Sequence, residues 1–285
     1  MKFVVSFTTS PSRINKIKPM LDSIITQSKR PDLFLLNIPK VFPRTGETYT
    51  IPDFVSKDVT INVVDKDLGP ATKIVPTVDY IKNYHADWDM SEVLIIYVDD
   101  DIKYRPEMIN VLNFLYMVNK TPRVLCCSGV HFFAHNNQMR IAGMRNHNDK
   151  VSLVEQFDSV CVPINIFEED FVPYMNKYTT GEDMKICLLS DDVLLSNYYS
   201  KKNIDMFVVN YPGKLSVSDL WNNNGILDYG NLQDALHLGA SGLSGTNMQR
   251  YPDVLKILGK NMDLHIKVYS SEKYLDGNNL KQQFY

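Results

Sequence analysis

Two short runs of aspartates are the part of the sequence best suited to chemistry. Asp99, Asp100 and Asp101 follow six apolar residues of β type, and Asp191 and Asp192 follow a serine. Three adjacent carboxylates repel one another, so the first run calls for a cation. On an extended backbone the outer two carboxylates point to one side, which suits a hard divalent ion such as Mg²⁺ or Mn²⁺. The alternative is a solvated acidic turn that caps the next helix.

The elements that must position these aspartates alternate between strand and helix patterns. Such alternation predicts an α/β fold with a mainly parallel central sheet flanked by helices. Sheets of this kind bind ligands at the carboxyl ends of their strands, where the first run would lie. The apolar run 93–98 predicts a central strand. Predicted strands span residues 3–8, 33–38, 59–64, 93–98, 123–130 and 160–166, and predicted helices span residues 14–28, 70–85, 107–119, 182–188, 193–200 and 251–259.

The composition is that of an ordinary globular protein. Of the 285 residues, 44% are apolar and 22% are charged, with 13 Gly and 14 Pro, which excludes collagen-like, low-complexity and disordered chains. The 30 basic and 33 acidic side chains give a net charge of −3, so no global field attracts nucleic acid or an anionic membrane. We therefore expect no nucleic-acid partner and local groups around any anionic ligand.

The cysteines and the apolar segments indicate the compartment. No Cys-x-x-Cys pair occurs among Cys126, Cys127, Cys161 and Cys187, which stand among apolar residues, so we predict buried, reduced thiols. No stretch reaches the roughly 18 to 20 apolar residues of a membrane span. The start of the chain is too short for a signal peptide. We expect a cytoplasmic protein with no membrane span, unless the sequence belongs to a longer parent.

Three motifs, in chain order, resemble those of metal-dependent, nucleotide-sugar glycosyltransferases of the GT-A fold. They are residues 8–14 (TTSPSRI), 67–73 (DLGPATK) and 97–102 (YVDDDI), and the resemblance covers about residues 1–200. It implies a Rossmann-like GT-A sheet and an Asp-x-Asp motif formed by Asp99 and Asp101. By the same resemblance Asp101 binds the metal, Asp99 contacts the ribose or the metal, and Asp100 contacts the donor sugar.

The resemblance also implies that the loops after the first and third strands surround the nucleoside. The residues it assigns there are Thr8, Thr9, Arg13, Asp65 and Asp67. The planar donor fork of Arg13 suits a phosphate, and the alternative is a surface cation at a helix start. Lys73 would place a positive charge near the diphosphate, or else would be a solvated helix residue.

The second acidic run resembles the motif that carries the base of inverting GT-A enzymes, with Asp in place of Glu at its middle position. This resemblance makes Asp192 the base, with Asp191 beside it, for removing a proton from the acceptor hydroxyl. Some retaining GT-A families also carry an acid here, so the stereochemistry stays open. The alternative is that either Asp caps a helix.

The histidines and tryptophans supply weaker candidates. Several GT-A enzymes use a C-terminal histidine as a third metal ligand, and His237 is the candidate, with a structural histidine as the alternative. His131 and His135 are interpreted as loop residues of a polar insertion, 131–150, on the acceptor side. Trp88 and Trp221 could stack on sugar faces, although an aromatic side chain is more often packed in a core.

Together these features predict a metal-dependent glycosyltransferase that moves a sugar from a nucleotide-diphosphate donor, with UDP favoured, to a glycan hydroxyl. The predicted domain spans residues 1–214, with a nucleotide-sugar half (1–104) and an acceptor half (105–214), and residues 215–285 form an extension. The alternatives are a metal-dependent nucleotidyltransferase or phosphohydrolase, and a non-catalytic binding module. A Gly-x-x-x-x-Gly-Lys-Ser/Thr phosphate loop is absent from the sequence, which disfavours the first of these.

Overall fold

The computed structural model describes residues 1–119, 121–135, 138–144, 148–156, 158–181, 184–209, 247–270 and 280–283. The strands are β1 (Lys2–Phe7), β2 (Leu33–Pro39), β3 (Thr60–Val64), β4 (Val93–Val98), β5 (Arg123–Cys126), β6 (Gly129–His135), β7 (Gln138–Met144), β8 (Leu153–Val154), β9 (Ser159–Pro163), β10 (Asp205–Val208), β11 (Val268–Ser270) and β12 (Leu280–Gln283). The helices are α1 (Lys18–Ile25), α2 (Asp53–Ser56), α3 (Val75–Tyr84), α4 (Met108–Val118), α5 (Phe171–Thr179), α6 (Met184–Cys187), α7 (Asp191–Lys201) and α8 (Asn247–Lys260). Short 3₁₀ helices span Gly69–Lys73, Met90–Glu92 and Ile164–Ile166.

Seven strands form the main sheet, in the order β10-β5-β9-β4-β1-β2-β3. Every neighbouring pair is parallel except those of β9, which runs antiparallel to both β4 and β5. This topology confirms the predicted α/β class with a mainly parallel sheet. The uniformly apolar strand β4 lies in the middle of it, as its sequence predicts.

Both faces of the main sheet are buried, and alternate residues of each strand serve opposite faces. Ile95 and Tyr97 of β4 pack in one apolar cluster with α3 and α7, whereas Ile96 and Val98 pack in a second cluster with α1 and α4. The side chains of a strand alternate in this way because its repeat is two residues. Helices therefore cover the two faces, and the strand ends remain available for a site.

Helix α1 is shorter than predicted, spanning Lys18–Ile25 instead of residues 14–28. Pro19 lies in its first turn, where a missing N–H costs no helical hydrogen bond. Residues 11–16 form turns instead, yet they still bury Ile14. Ile14 and Ile17 therefore continue the helical spacing of buried residues although they precede the helix, and the sequence overestimates its length.

The prediction that residues 131–150 form a polar loop is wrong, because much of this segment belongs to a second sheet. Strands β6 and β7 form an antiparallel hairpin, which pairs with β8, β11 and β12. His131 and His135 thus lie on β6, and the strand predicted at residues 123–130 is two separate strands. His131 is buried beside the Ser152 hydroxyl, and burial lowers its pKa to about 4. Val130, Phe132 and Ile141 are buried, but the polar residues that alternate with them make the two strands hard to recognise in the sequence.

The four cysteines, all of them in the described part of the chain, form no disulfide and are buried, as predicted. Among the described residues, no helix is both long enough and apolar enough to cross a membrane. The predicted boundary at residue 214 lies outside the described residues.

Candidate functional site

One edge of the main sheet collects the polar residues of the candidate site. Because β1 and β4 are parallel, their carboxyl ends meet at this edge and bring Thr9 beside Asp100. The antiparallel strand β9 begins at the same edge, where Ser159 pairs with Val98. The N-terminus of α7, with Asp191, reaches the edge from another side. The fold therefore assembles the site from segments that are far apart in the sequence.

The first aspartate run lies on a turn and not on an extended backbone, because β4 ends at Val98. The sequence predicts that Asp99 and Asp101 point to one side, but the structure groups Asp100 with Asp101 around Arg13. Asp100 accepts hydrogen bonds from Thr9 Oγ1 (2.5 Å) and Arg13 Nη1 (2.9 Å), and the same Arg13 nitrogen lies 3.3 Å from Asp101 Oδ2. Burial, together with the neighbouring carboxylates of Asp100 and Asp99, raises the pKa of Asp101 to about 7. Arg13 thus binds two of the three aspartates and is not an isolated surface cation.

Lys73 joins the two aspartate runs. Its Nζ lies 2.8 Å from Asp99 Oδ1, 3.0 Å from the Gln156 carbonyl oxygen and 3.7 Å from Asp191 Oδ2. The Lys73 side chain is 3% exposed, so the interpretation of a solvated helix residue is wrong. Burial acts to lower its pKa, but the carboxylates of Asp99 and Asp191 raise it, and the net shift is upward. The ammonium is therefore a fixed positive charge between the two runs.

A tight turn positions Lys73. Asp67 Oδ1 accepts hydrogen bonds from the Gly69 N–H (2.9 Å) and the Thr72 hydroxyl (3.2 Å), which fixes the start of the 3₁₀ helix Gly69–Lys73. Gly69 has a φ of +60°, and a Cβ there would lie 2.3 Å from the Leu188 carbonyl oxygen. Glycine is required because both the backbone conformation and the close approach exclude a side chain. The turn can therefore lie against the segment that leads into α7.

Asp191 and Asp192 occupy the first turn of α7, where a helix N-terminus stabilises negative charge. Both oxygens of Asp192 are engaged, since Oδ1 accepts from the Gln156 N–H (2.7 Å) and Oδ2 accepts from the Tyr251 hydroxyl (2.5 Å). Burial and the adjacent Asp191 raise the pKa of Asp192 to about 8. Asp191 is also buried, yet its Oδ2 accepts no hydrogen bond from any described residue. Both oxygens of Asp192 are therefore hydrogen-bonded, whereas Asp191 Oδ2 has the Lys73 ammonium 3.7 Å away but no hydrogen bond from a described residue.

The segment between β8 and β9 also contributes to the site, although no sequence motif indicates it. Gln156 contacts Lys73 and Asp192 through its backbone, as given above. The Tyr104 hydroxyl donates to the Asp158 carbonyl oxygen (2.8 Å) and accepts from the Asp99 N–H (2.8 Å), which holds Asp158 beside the first aspartate run. Asp158 adopts a left-handed φ of +65°. Such a conformation outside glycine is uncommon and is often retained at functional sites.

We expect Asp158→Asn to stabilise the protein at pH 8 but not at pH 4. Burial raises the Asp158 pKa to about 7, so between about pH 4 and 7 the folded state binds more protons than the unfolded state. Stability from this group therefore falls as pH rises through that window. Asn removes the buried charge and still tolerates a left-handed φ, so we expect a gain of about 2 kcal/mol at pH 8. Denaturant unfolding at pH 4, 6 and 8 measures it.

The exposed carboxylate of Asp65 provides the control for this measurement. Its side chain is 87% exposed and pairs with Lys40 at the surface (3.0 Å). Asp65→Asn should change stability by less than about 0.5 kcal/mol at each pH. An advantage of Asp158→Asn that grows as the pH falls would contradict the prediction.

The oxygen ligands at the edge fit a hard divalent cation. Asp99 and Asp101 are the less enclosed members of the first run, with side chains 30% and 19% exposed against 8% for Asp100. Mg²⁺ usually takes one or two carboxylates and completes its shell with water and substrate oxygens. The cluster contains Asp99, Asp100, Asp101, Asp191 and Asp192, near the cations Arg13, Lys73 and Arg250. The cluster thus has five carboxyl groups and three cationic side chains.

The remaining candidates are dispersed. Thr8 is half-buried next to Thr9, and Asp65 lies at the exposed surface described above. Trp88 packs against the His85 ring (4.2 Å between centroids) and against the main core, so it serves a packing role. His237 and Trp221 lie outside the described residues. In the part of the chain that the structure describes, no group of three or more His, Cys, Asp or Glu residues forms a ready-made metal site.

Comparison with known proteins gives similarities to solved structures only. No family model matches the sequence, and no curated protein matches it. The structure of S. aureus TarS in complex with UDP is similar over 91% of this chain and 72% of its own, with 12% identity and a TM-score of 0.43. CMP:2-keto-3-deoxy-manno-octonic acid synthetase complexed with CTP has 9% identity and a TM-score of 0.38, over 78% of this chain and 95% of its own. A 4-diphosphocytidyl-2C-methyl-D-erythritol synthase from Anaerococcus prevotii has 15% identity and a TM-score of 0.40, with the same coverage.

Proposed function

We propose that this chain is a glycosyltransferase that transfers a sugar from a nucleotide-diphosphate donor, a UDP-sugar, to a hydroxyl of a glycan acceptor with inversion. The observation that carries the proposal is the position of Lys73, whose Nζ lies 2.8 Å from Asp99 and 3.7 Å from Asp191. Through this contact, the aspartate run 99–101, which would bind the donor, and Asp191, the candidate general base, lie at the same edge of the main sheet. A sugar bound at that edge would have the leaving group near one run and the acceptor near the other.

On the donor side, the chain's own residues orient the carboxylates. Thr9 and Arg13 hold Asp100, and Lys73 holds Asp99, so contacts within the chain fix the shape of the run. Asp99 and Asp101 would hold Mn²⁺ or Mg²⁺, which supplies positive charge against the negative charge of a departing diphosphate. Arg13 and Lys73 add fixed positive charge at the same edge, and preorganised charge of this kind stabilises a transition state without further rearrangement.

On the acceptor side, we assign the base to Asp191 and a positioning role to Asp192. A general base must offer an oxygen within hydrogen-bond reach of the acceptor hydroxyl. Asp191 Oδ2 has no hydrogen-bond donor among the described residues, whereas both oxygens of Asp192 bind Gln156 or Tyr251. This assignment differs from the family resemblance, which gives the role to Asp192, and the kinetics of the two Asp→Asn variants distinguish the two assignments.

We expect UDP to protect the protein against thermal unfolding only when Mn²⁺ or Mg²⁺ is present. A ligand at a hundred times its Kd adds about 2.7 kcal/mol of stability. Asp101→Ala removes a metal-binding oxygen and should abolish this protection. Asp22→Ala is the matched control, because Asp22 is an exposed carboxylate paired with Lys18 on α1. Differential scanning fluorimetry with UDP, with the metal and with both measures the effect.

Two results would reject the donor model. Equal protection by UDP without metal would show that the nucleotide binds independently of the aspartates. Release of pyrophosphate from a nucleoside triphosphate in the presence of a sugar phosphate would instead identify a nucleotidyltransferase.

A further inference from the structure

Four buried side chains at the site edge have polar atoms without hydrogen-bond partners among the described residues. They are both amide atoms of Gln156, Oδ2 of Asp158, Oγ of Ser190 and Oδ2 of Asp191, in residues that are at most 5% exposed. The large majority of buried side-chain polar atoms in folded proteins have a hydrogen-bond partner. The carboxamide of Gln156 is the most notable, because it is neutral and lacks a partner at both of its ends.

The backbone of Gln156 lies between the two aspartate runs. Its carbonyl oxygen accepts from Lys73 Nζ at 3.0 Å, and the same nitrogen binds Asp99. Its N–H donates to Asp192 Oδ1 at 2.7 Å. The residue is therefore fixed on one side to the donor aspartates and on the other to the base-bearing helix.

We propose that the Gln156 carboxamide binds hydroxyl groups of the transferred sugar. The proposal rests on the function proposed above. A carboxamide offers two donors and one acceptor, and a sugar hydroxyl both donates and accepts, so the two groups match. A phosphate oxygen would use only the donor end of the carboxamide, whereas a hydroxyl group can use both ends. The transferred sugar is the part of the substrates that must lie between the leaving group and the base.

Gln27 shows what a structural glutamine looks like in this protein. It is also buried, but its Nε2 donates to the Ser23 carbonyl oxygen (2.9 Å) and its Oε1 accepts from the Ile109 N–H (3.2 Å). Removal of a satisfied amide leaves those backbone groups without partners, whereas removal of the Gln156 amide leaves none. Replacement by methionine, which has a similar length, therefore separates the two roles.

The experiment compares Gln156→Met with Gln27→Met. Thermal unfolding without ligand should show a lower Tm for Gln27→Met, and an unchanged or higher Tm for Gln156→Met. Binding of UDP and of a panel of UDP-sugars is then measured with Mn²⁺ by calorimetry. We expect Gln156→Met to bind UDP normally but to lose about tenfold or more of its affinity for the UDP-sugar that the unaltered protein prefers over UDP, because a site built to bind a hydroxyl depends on that contact.

The outcomes separate this inference from the function on which it rests. Unchanged affinity of Gln156→Met for both UDP and the preferred UDP-sugar would overturn the inference alone, as would a loss of Tm equal to that of Gln27→Met. Failure of the unaltered protein to bind UDP or any UDP-sugar would overturn the proposed function and this inference with it.

Discussion

Asp191→Asn is expected to lower kcat at least about a hundredfold while the donor Kd changes little, because a general base contributes in the transition state. Asn has the same shape as Asp, so the first turn of α7 keeps its packing. The substitution removes one carboxylate partner of Lys73, but Lys73 keeps Asp99 and the repulsion between Asp191 and Asp192 is relieved, so we expect only a small change in stability. Kinetics of sugar transfer, together with equilibrium binding of the donor, measure the two effects separately.

Asp192→Asn is the informative comparison for this prediction. Asp192 binds the Gln156 N–H and the Tyr251 hydroxyl, and so joins the segment after β8 to α8. Asn has only one acceptor oxygen, so its NH2 group would lie against one of these two donors, which should lower the Tm, with a smaller loss of kcat than that of Asp191→Asn. The reverse order of kcat losses would show that Asp192 is the base, as the family resemblance implies.

The central part of the fold could be predicted because its signals are local and repeated. Strand β4 has the predicted bounds, Val93–Val98, because a run of six apolar residues with high β propensity is typical of a buried strand. The adjacent aspartates were placed at the strand end by the same signal. Helix α5 (Phe171–Thr179) and strand β10 (Asp205–Val208) were not predicted, because their apolar residues are interspersed with polar ones.

The contacts within the site could not be predicted in the same way, because they depend on tertiary structure. A buried lysine is rare without paired charges, so Lys73 in isolation favours a solvated interpretation. Its partners lie 26 and 83 residues away in Asp99 and Gln156. Gln156 belongs to no motif. In the sequence it is simply a polar residue between two apolar segments, which does not indicate a site. Tyr251 reaches Asp192 from 59 residues away.

Lys73→Met is expected to lower the free energy of unfolding by about 3 to 5 kcal/mol at pH 7, which is the usual cost of removing one partner of a buried ion pair. Methionine fills a similar volume, so the effect comes from the loss of charge and not from a cavity. Without the ammonium, the carboxylates of Asp99 and Asp191 lose their shared cation, and the Gln156 carbonyl oxygen loses its donor. Equilibrium denaturation measures the loss.

Lys40→Met is the matched control, since Lys40 pairs with Asp65 at a similar distance (3.0 Å) but with side chains 71% and 87% exposed. Exposed pairs are worth at most about 1 kcal/mol, so this variant should be nearly as stable as the unaltered protein. If Lys73→Met does not fold, the double variant with Asp191→Asn should recover part of the stability, because it removes one of the two carboxylates that lost their cation. Equal stability of Lys73→Met and Lys40→Met would contradict the prediction. Lys73 would then contribute nothing to stability through its contacts with the two aspartate runs. Its role would be tested only by donor binding and by the kinetics of sugar transfer.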